Sequence, residues 1–162
     1  MPEVISDTSP LQYLHQLGLL DLLPRLVGRV VVPQAVVDEL EAGRALGHDL
    51  PDVTALGWVG VRVPASSQQH AASPELGRGE TDVLGLALEL PKGGAVVIID
   101  DAKAREAAVT LGLKLTGTLG VLLDAKRAGL IPAVAPHLDR LDALGFRLAP
   151  HTRAAVLKLA GE

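Results

Sequence analysis

Acidic residues stand at four separated places in the sequence, where an apolar run ends or a helix-forming stretch begins. Asp7 follows the first apolar run, Asp100 and Asp101 follow the most apolar one, and Glu39 and Glu80 lie between them. Carboxylates are hard oxygen ligands of the kind that Mg²⁺ and Mn²⁺ prefer. Because carboxylates repel one another, gathering several of them costs stability unless a function requires it. The pattern therefore raises the hypothesis of a site for divalent cations.

Three of these acids also have ordinary structural explanations. Asp7 has the residue type of a plain turn or helix cap. Glu39 borders the apolar stripe of its helix, yet it belongs to an acidic run with Asp38 and Glu41 that is typical of a solvated face. Glu80 follows two glycines at a helix start, where the helix dipole favours any carboxylate. For each of them, the functional and the structural explanation both stay open.

The adjacent pair Asp100 and Asp101 is less easily explained by capping, since one acid can cap a helix while the other reaches a crevice. Arg105 lies four residues after Asp101 and can pair with it on one helix face. Hydroxyl residues flank the acidic positions and can either cap helices or orient water molecules around a cation; they are Ser9, Thr116 and Thr118.

The elements that position these residues are short apolar strands alternating with helices. Strands are predicted at residues 4–6, 30–32, 58–63, 95–99 and 114–116. Helices are predicted at residues 10–17, 19–23, 33–43, 79–90, 102–111, 118–128, 131–144 and 151–159. We expect Ser9 to cap the first helix, Pro24 to end the second, and residues 65–77 to form a loop. Fully apolar strands indicate a parallel sheet covered on both faces. In such sheets the active site lies beyond the carboxyl ends of the strands.

Composition limits the alternatives. The 162 residues fit one domain, 1–162, in which residues 131–162 form a C-terminal helical extension. There is no cysteine, and the three aromatic residues make base stacking an unpromising main mode of binding. The net charge of -4 argues against a protein that coats nucleic acid by charge alone. The five histidines show no zinc spacing, and neither a nucleophile elbow nor a phosphate-binding lysine loop is present.

Membrane segments are also missing from the sequence pattern. No apolar run approaches the roughly 20 residues that a spanning helix needs. The first residues lack the basic and apolar regions of a signal peptide. We therefore expect a cytoplasmic protein that does not bind a membrane.

Four stretches in the same order resemble the motifs of PIN-domain nucleases, and they lie at residues 5–11, 32–40, 77–80 and 99–105. The resemblance extends over about residues 4–126. It implies a Rossmann-like α/β/α sandwich with a central parallel sheet. It also implies that the acidic ligands are Asp7, Glu39, Glu80 and Asp101, with Asp100 as the second choice for the last. Many members have Thr-x-Asp at this motif, where this chain has Ile99-Asp100-Asp101.

A further stretch at residues 115–122, Leu-Thr-Gly-Thr-Leu-Gly-Val-Leu, resembles a prokaryotic subgroup similar to the VapC-like toxins of type II toxin–antitoxin pairs. The resemblance implies an endoribonuclease, a homodimer and a small antitoxin protein as partner. Many members carry a further acid or Asn after the last strand, where this chain has Thr116-Gly117-Thr118. A second metal ion therefore has fewer candidate ligands than the first.

The resemblance implies hydrolysis of RNA phosphodiester bonds by a water molecule activated by Mg²⁺ or Mn²⁺. Asp7 and Asp101 are expected to bind the metal directly, and Glu39 and Glu80 directly or through water. Residues expected to orient those waters are Ser9, Thr116 and Thr118, and those expected to contact RNA phosphates are Arg78, Lys103 and Arg105.

Two other functions are compatible with the acidic pattern. A phospho-acceptor receiver module is also a parallel α/β protein with an acidic Mg²⁺ pocket. It needs an acidic pair after the first strand and a lone Asp after a middle strand, the reverse of the order here. The other is a catalytically inactive PIN scaffold that only binds a partner protein.

Overall fold

The computed structural model describes residues 1–65 and 75–162. Within them, five parallel strands form one sheet in the order β3-β2-β1-β4-β5. The strands are β1 (Glu3–Ser6), β2 (Val30–Pro33), β3 (Val59–Arg62), β4 (Ala95–Ile98) and β5 (Lys114–Thr116). Their Val and Ile residues suit a buried, pleated surface. The prediction of an α/β fold with a central parallel sheet is confirmed.

Helices flank this sheet and fill the connections between its strands. They are α1 (Thr8–Gln16), α2 (Leu22–Val27), α3 (Gln34–Ala45), α4 (Arg78–Leu88), α5 (Ala102–Thr110), α6 (Thr118–Arg127), α7 (Ala135–Ala143) and α8 (Pro150–Leu159). A short 3₁₀ turn, Val53–Ala55, precedes β3. None of the helices in the described part is long and apolar enough to cross a membrane.

The core is aliphatic, as the scarcity of aromatic residues requires. Ile5 and Ile98 of the central strands are almost completely buried, together with Leu11 of α1, Leu84 of α4 and Leu122 of α6. Each fully buried side chain of this size contributes roughly 1.5–3 kcal/mol. This packing fixes the strand ends on which the acidic residues stand.

Several predicted boundaries were wrong. Helix α1 begins at Thr8, so Asp7 and not Ser9 occupies the N-cap position. Helix α2 contains Pro24 instead of ending there, because a proline in the first turn gives up an N–H that has no partner in the helix. Helix α3 continues past Gly43 to Ala45, and α7 begins only at Ala135. Most of the loop predicted at residues 65–77 lies outside the described residues.

The carboxyl ends of β1 and β4 form the crevice of the sheet. Ser6 is in register with Ile98, and Ile98 is in register with Thr116 of β5. The Asp7 N–H continues the pairing by donating to the Ile98 carbonyl at 3.0 Å. The chain runs outward from β1 to β2 and β3 and then returns to the other side of β1, so the strand order reverses at β1 and β4. Ligands of open parallel sheets bind at such a reversal.

The C-terminal helices bring one more segment to this crevice. Residues 144–149 connect α7 to α8, and within them Phe146 packs edge-to-face on Tyr13 of α1, with ring centroids 5.0 Å apart. Arg140 of α7 donates to the Leu17 carbonyl at 2.9 Å and so ties α7 to the end of α1. The connection between α7 and α8 therefore lies against the same side of α1 as the strand ends.

Candidate acidic metal site

Asp7 is the most buried acid of the crevice, with 4% of its surface exposed. It stands between β1 and α1 in extended backbone conformation, and its side chain makes no capping hydrogen bond. Burial, opposed by a hydrogen bond from the Thr8 backbone and reinforced by the negative charges of Glu80, Glu39 and Asp100, raises the pKa of Asp7 to about 7. Four acids from separated segments therefore act on one another electrostatically.

Glu39 reaches the crevice from α3, and two other motifs hold it there. The Thr8 hydroxyl donates to its Oε2 at 2.5 Å, and the Gly79 N–H donates to its Oε1 at 3.1 Å. A Cβ atom at position 79 would lie only 2.7 Å from Oε1, so a glycine is needed for this approach. The acidic helix face therefore contributes one oriented side chain rather than only a solvated surface.

Glu80 lies in the first turn of α4 and is partly buried. Its Oε2 accepts a hydrogen bond from the Gly77 N–H at 3.0 Å, which is half of a capping box, since Gly77 has no side chain to return the bond. Burial raises the pKa of Glu80, and the charges of Asp101 and Glu39 add to this. Glu80 therefore both caps α4 and lies close to the other acids.

Asp100 and Asp101 differ in position and in hydrogen-bond partners. Asp101 is exposed at the N-cap of α5, where its Oδ2 accepts from the Ala104 N–H at 2.9 Å. Asp100 turns into the crevice, where it accepts from the Thr118 N–H at 2.8 Å, the Thr118 hydroxyl at 2.7 Å and the Ser9 hydroxyl at 3.2 Å. The contacts inside the crevice belong to Asp100, the second choice of the sequence analysis, while Asp101 stays at the rim.

The expected pairing of Arg105 with Asp101 is not found. The Arg105 Nη1 donates instead to the Ile99 carbonyl at 2.8 Å, at the end of β4. This bond orients the guanidinium group toward the strand ends rather than along the surface of α5. Thr116 also differs from expectation, because its hydroxyl lies against Gly120 of α6, so closely that a Cβ atom at position 120 would overlap it.

The other two basic residues proposed for RNA binding lie on the surface. Arg78 approaches Asp38 at 3.5 Å, and Lys103 approaches Glu75 at 3.5 Å. Such long, exposed ion pairs contribute little to stability. Both side chains are therefore accessible to a charged ligand.

All of the acids except Glu39 line a cavity of about 380 Å³, together with residues that were not predicted from the sequence. Its wall is formed by Asp7, Ser9, Tyr13, Glu80, Asp100, Asp101, Gly145, Phe146 and Arg147. Tyr13 stands one helical turn after Ser9, so its place beside Ser9 could have been predicted from the sequence. The position of Arg147 could not be predicted in this way, because Arg147 reaches the cavity through the packing of Phe146 on Tyr13.

The donor set suits a hard divalent cation, because it consists of carboxylate and hydroxyl oxygens around a buried acid. Among residues 1–65 and 75–162, however, no three acidic or histidine side chains lie close enough together to enclose an ion directly. The carboxylates of Glu39, Glu80, Asp100 and Asp101 each accept hydrogen bonds from the protein instead. The chemistry of the group fits a cation, and binding requires some of these side chains to turn.

Comparison with known proteins identifies the family. The family model DUF3368, described as a PIN domain, matches residues 3–162. A search of curated proteins finds no match. The chain belongs to the PIN-domain family, whose members are generally nucleases that use divalent metal ions. The strand order also differs from that of receiver modules, since β1 is central here, whereas receiver modules have the order β2-β1-β3-β4-β5.

Proposed function

We propose that this protein is an endoribonuclease that hydrolyses RNA phosphodiester bonds with Mg²⁺ or Mn²⁺. The observation that supports it best is the buried Asp7, whose pKa is raised to about 7 with carboxylates as its charged neighbours. A buried carboxylate normally has a cationic partner. A divalent cation would supply that charge, and it would also provide a water molecule of lowered pKa as the nucleophile.

Asp7 and Asp100 are the residues that we assign as direct ligands, since both point into the crevice from adjacent strand ends. Glu39 and Glu80 would bind directly or through water molecules of the ion. Asp101, the direct ligand favoured by the sequence motif, would bind from the rim after release of its hydrogen bond to Ala104. Fewer residues would then remain as ligands for a second ion than for the first.

The remaining residues of the chain orient these acids. Ser9 and Thr118 fix both oxygens of Asp100, while Thr8 and Gly79 fix both oxygens of Glu39. A carboxylate oxygen that accepts one hydrogen bond keeps a second lone pair for a cation, so these bonds can orient the two acids without excluding an ion. The hydroxyl of Thr116 is assigned to the neighbouring wall rather than to the acids.

Several finer assignments rest on the resemblance alone. The stretch at residues 115–122 supports a VapC-like toxin of a type II toxin–antitoxin pair. That assignment brings with it a homodimer, an antitoxin protein as partner, RNA rather than DNA as substrate, and a cytoplasmic location. These remain proposals.

The activity is tested by incubating purified protein with matched single-stranded RNA and DNA oligonucleotides, in Mg²⁺, Mn²⁺ or EDTA. We expect cleavage of RNA with either metal, none in EDTA, and a loss of at least a hundredfold in Asp7→Asn. Asp21→Asn is the matched control, because Asp21 is an exposed acid at the start of α2 that makes no capping bond. Equal cleavage in all samples would reject the proposal and indicate a contaminating nuclease.

An inactive PIN scaffold is the second candidate. It is favoured by the separation of the acids, no three of which enclose an ion in the described residues. Binding of Mn²⁺ without cleavage of any RNA or DNA substrate would support it.

A further inference from the structure

A second cavity of about 360 Å³ adjoins the acidic one. The two share a wall formed by Asp100, Phe146 and Arg147. On the far side of this wall the second cavity is lined by Arg105 and by the hydroxyl residues Thr116 and Thr152. The two cavities thus differ in charge, since four carboxylates and Arg147 line the first, whereas Arg105, Arg147 and the Asp100 carboxylate line the second.

The two arginines of this cavity have no ion-pair partner in the described part of the chain, although the Asp100 carboxylate lines the same cavity. Within the residues that the structure describes, neither Arg105 nor Arg147 forms an ion pair, whereas Arg62 pairs with Glu3 and Arg153 with Asp139. Arg105 is fixed through Nη1 on the Ile99 carbonyl, which orients it in the cavity wall. The Asp100 carboxylate accepts its hydrogen bonds from Ser9 and Thr118.

We propose that this second cavity binds the phosphate of the nucleotide next to the bond that is cleaved. The inference rests on the proposed nuclease function and extends it to how the strand is held. Guanidinium groups match the geometry of phosphate oxygens, and threonine hydroxyls add neutral donors. Because the molecule carries a net charge of -4, a nucleic acid needs such a local positive site to approach the acidic cavity.

The position of Arg147 connects the second cavity with the acidic cavity. It stands on the wall common to both cavities, so a strand whose cleaved phosphate lies at the acids places the next phosphate beside Arg147 and Arg105. Arg147 is exposed and belongs to the connection between α7 and α8, so its replacement leaves the packing of the core unchanged. The C-terminal segment thereby becomes part of the substrate-binding surface.

Binding of a fluorescent single-stranded RNA to protein carrying Asp7→Asn tests the inference without cleavage. Adding Arg147→Ala should weaken binding about tenfold and reduce the slope of log affinity against log salt by about 0.7, the value for one lost contact to a single strand. Arg147→Lys should keep most of that slope. Arg127→Ala is the matched control, since Arg127 lies at the far end of α6, about 14 Å along the helix from Thr118. An unchanged salt slope in Arg147→Ala overturns the inference.

Cleavage kinetics give the second test. On a dinucleotide, which has no flanking phosphate, we expect Arg147→Ala to lose much less kcat/KM than on a longer substrate. On a trinucleotide it should lose about tenfold in kcat/KM, mainly through KM. Equal loss on both substrates would overturn the inference and show that Arg147 acts at the cleaved phosphate or only balances the acids. If wild-type protein cleaves neither substrate, the nuclease proposal fails, and the binding measurement still decides whether the cavity holds phosphate.

Discussion

Thr118 holds Asp100 by both oxygens, through its hydroxyl at 2.7 Å from Oδ2 and its backbone N–H at 2.8 Å from Oδ1. Thr118 has no exposed surface. It opens α6 directly after β5, and Asp100 follows the adjacent strand β4. Two neighbouring strand ends thus fix one carboxylate, and a part-buried, charge-assisted pair of hydrogen bonds is stronger than one between neutral groups.

Replacing Thr118 by Val should impair the site without unfolding the protein. Val keeps the shape of the side chain but removes the hydroxyl, which leaves Asp100 Oδ2 with only the longer bond from Ser9. We expect nuclease activity with Mn²⁺ to fall about tenfold to a hundredfold, the usual effect of losing a group that orients a metal ligand. Thr118→Ser keeps the hydroxyl and should retain most of the activity. Wild-type kcat/KM in Thr118→Val would show that this bond does not matter for catalysis.

Asp7 should make the stability of the protein depend on pH when EDTA is present. Its pKa is near 3.8 in an unfolded chain and about 7 in the fold, because burial disfavours the charged form. Well below pH 3.8 both states are protonated, so Asp7 imposes no penalty. As the pH rises from about 4 to 7, the unfolded state has lost a proton that the folded state still holds, so the free energy of unfolding falls, by roughly 4 kcal/mol in all, and it levels off above pH 7. Urea denaturation between pH 5 and 8 should show this decline.

The variant Asp7→Asn separates this effect from other titrations. It has no charge to bury, so its stability should decline less with pH and exceed that of the wild type at pH 8. Added Mn²⁺ should stabilise the wild type at pH 8 more than the variant, because a bound ion favours the folded state. Parallel pH profiles for the two proteins would contradict the assignment of Asp7 as a buried acid among carboxylates.

The sheet and the position of Asp7 could be predicted from sequence because both depend on local patterns. The apolar runs at residues 4–6 and 95–99 are too short for helices and too apolar for surface strands, so they indicated buried parallel strands. Acids that directly follow such runs must lie at the carboxyl edge of the sheet. The boundary errors at Ser9 and Pro24 affected one turn of helix each and did not move the acids.

The division of roles between Asp100 and Asp101 could not be predicted, because distant donors decide it. Judged by local sequence alone, two adjacent acids at a strand end are equally suited to the N-cap position. Thr118, 18 residues later, and Ser9, 91 residues earlier, provide the hydrogen bonds that turn Asp100 inward. Arg147 entered the site for a similar reason, since only the packing of the C-terminal helices brings it there.

Gly79 should be required for the position of Glu39 but not for the fold. A Cβ atom at this position would lie 2.7 Å from Glu39 Oε1, which is the end of a flexible side chain and can move away. In Gly79→Ala we expect thermal stability to stay the same or rise, since alanine favours helix. Activity with Mn²⁺ should fall about tenfold, because Glu39 is displaced. Gly57→Ala, with nothing within 4 Å, is the control. A large loss of stability in Gly79→Ala would mean that the backbone, not Glu39, resists the methyl group.

Glu162 should stabilise the C-terminal helices in a pH-dependent way. Its carboxylate accepts from the N–H groups of Val134 and Ala135 at the start of α7 and from the Lys126 ammonium group. The backbone N–H bonds, followed by the bond from Lys126, lower the pKa of Glu162 to about 2. A lowered pKa contributes stability above the ordinary value of 4.5, and that stability is lost as the pH falls toward 2.

Glu162→Gln should therefore lower the melting temperature at pH 7, with a difference from wild type that shrinks as the pH falls. Glu106→Gln makes the same charge change at an exposed position of α5 and should have little effect. A deficit in Glu162→Gln that stays constant from pH 7 to pH 3 would show that the charge is not what stabilises this contact.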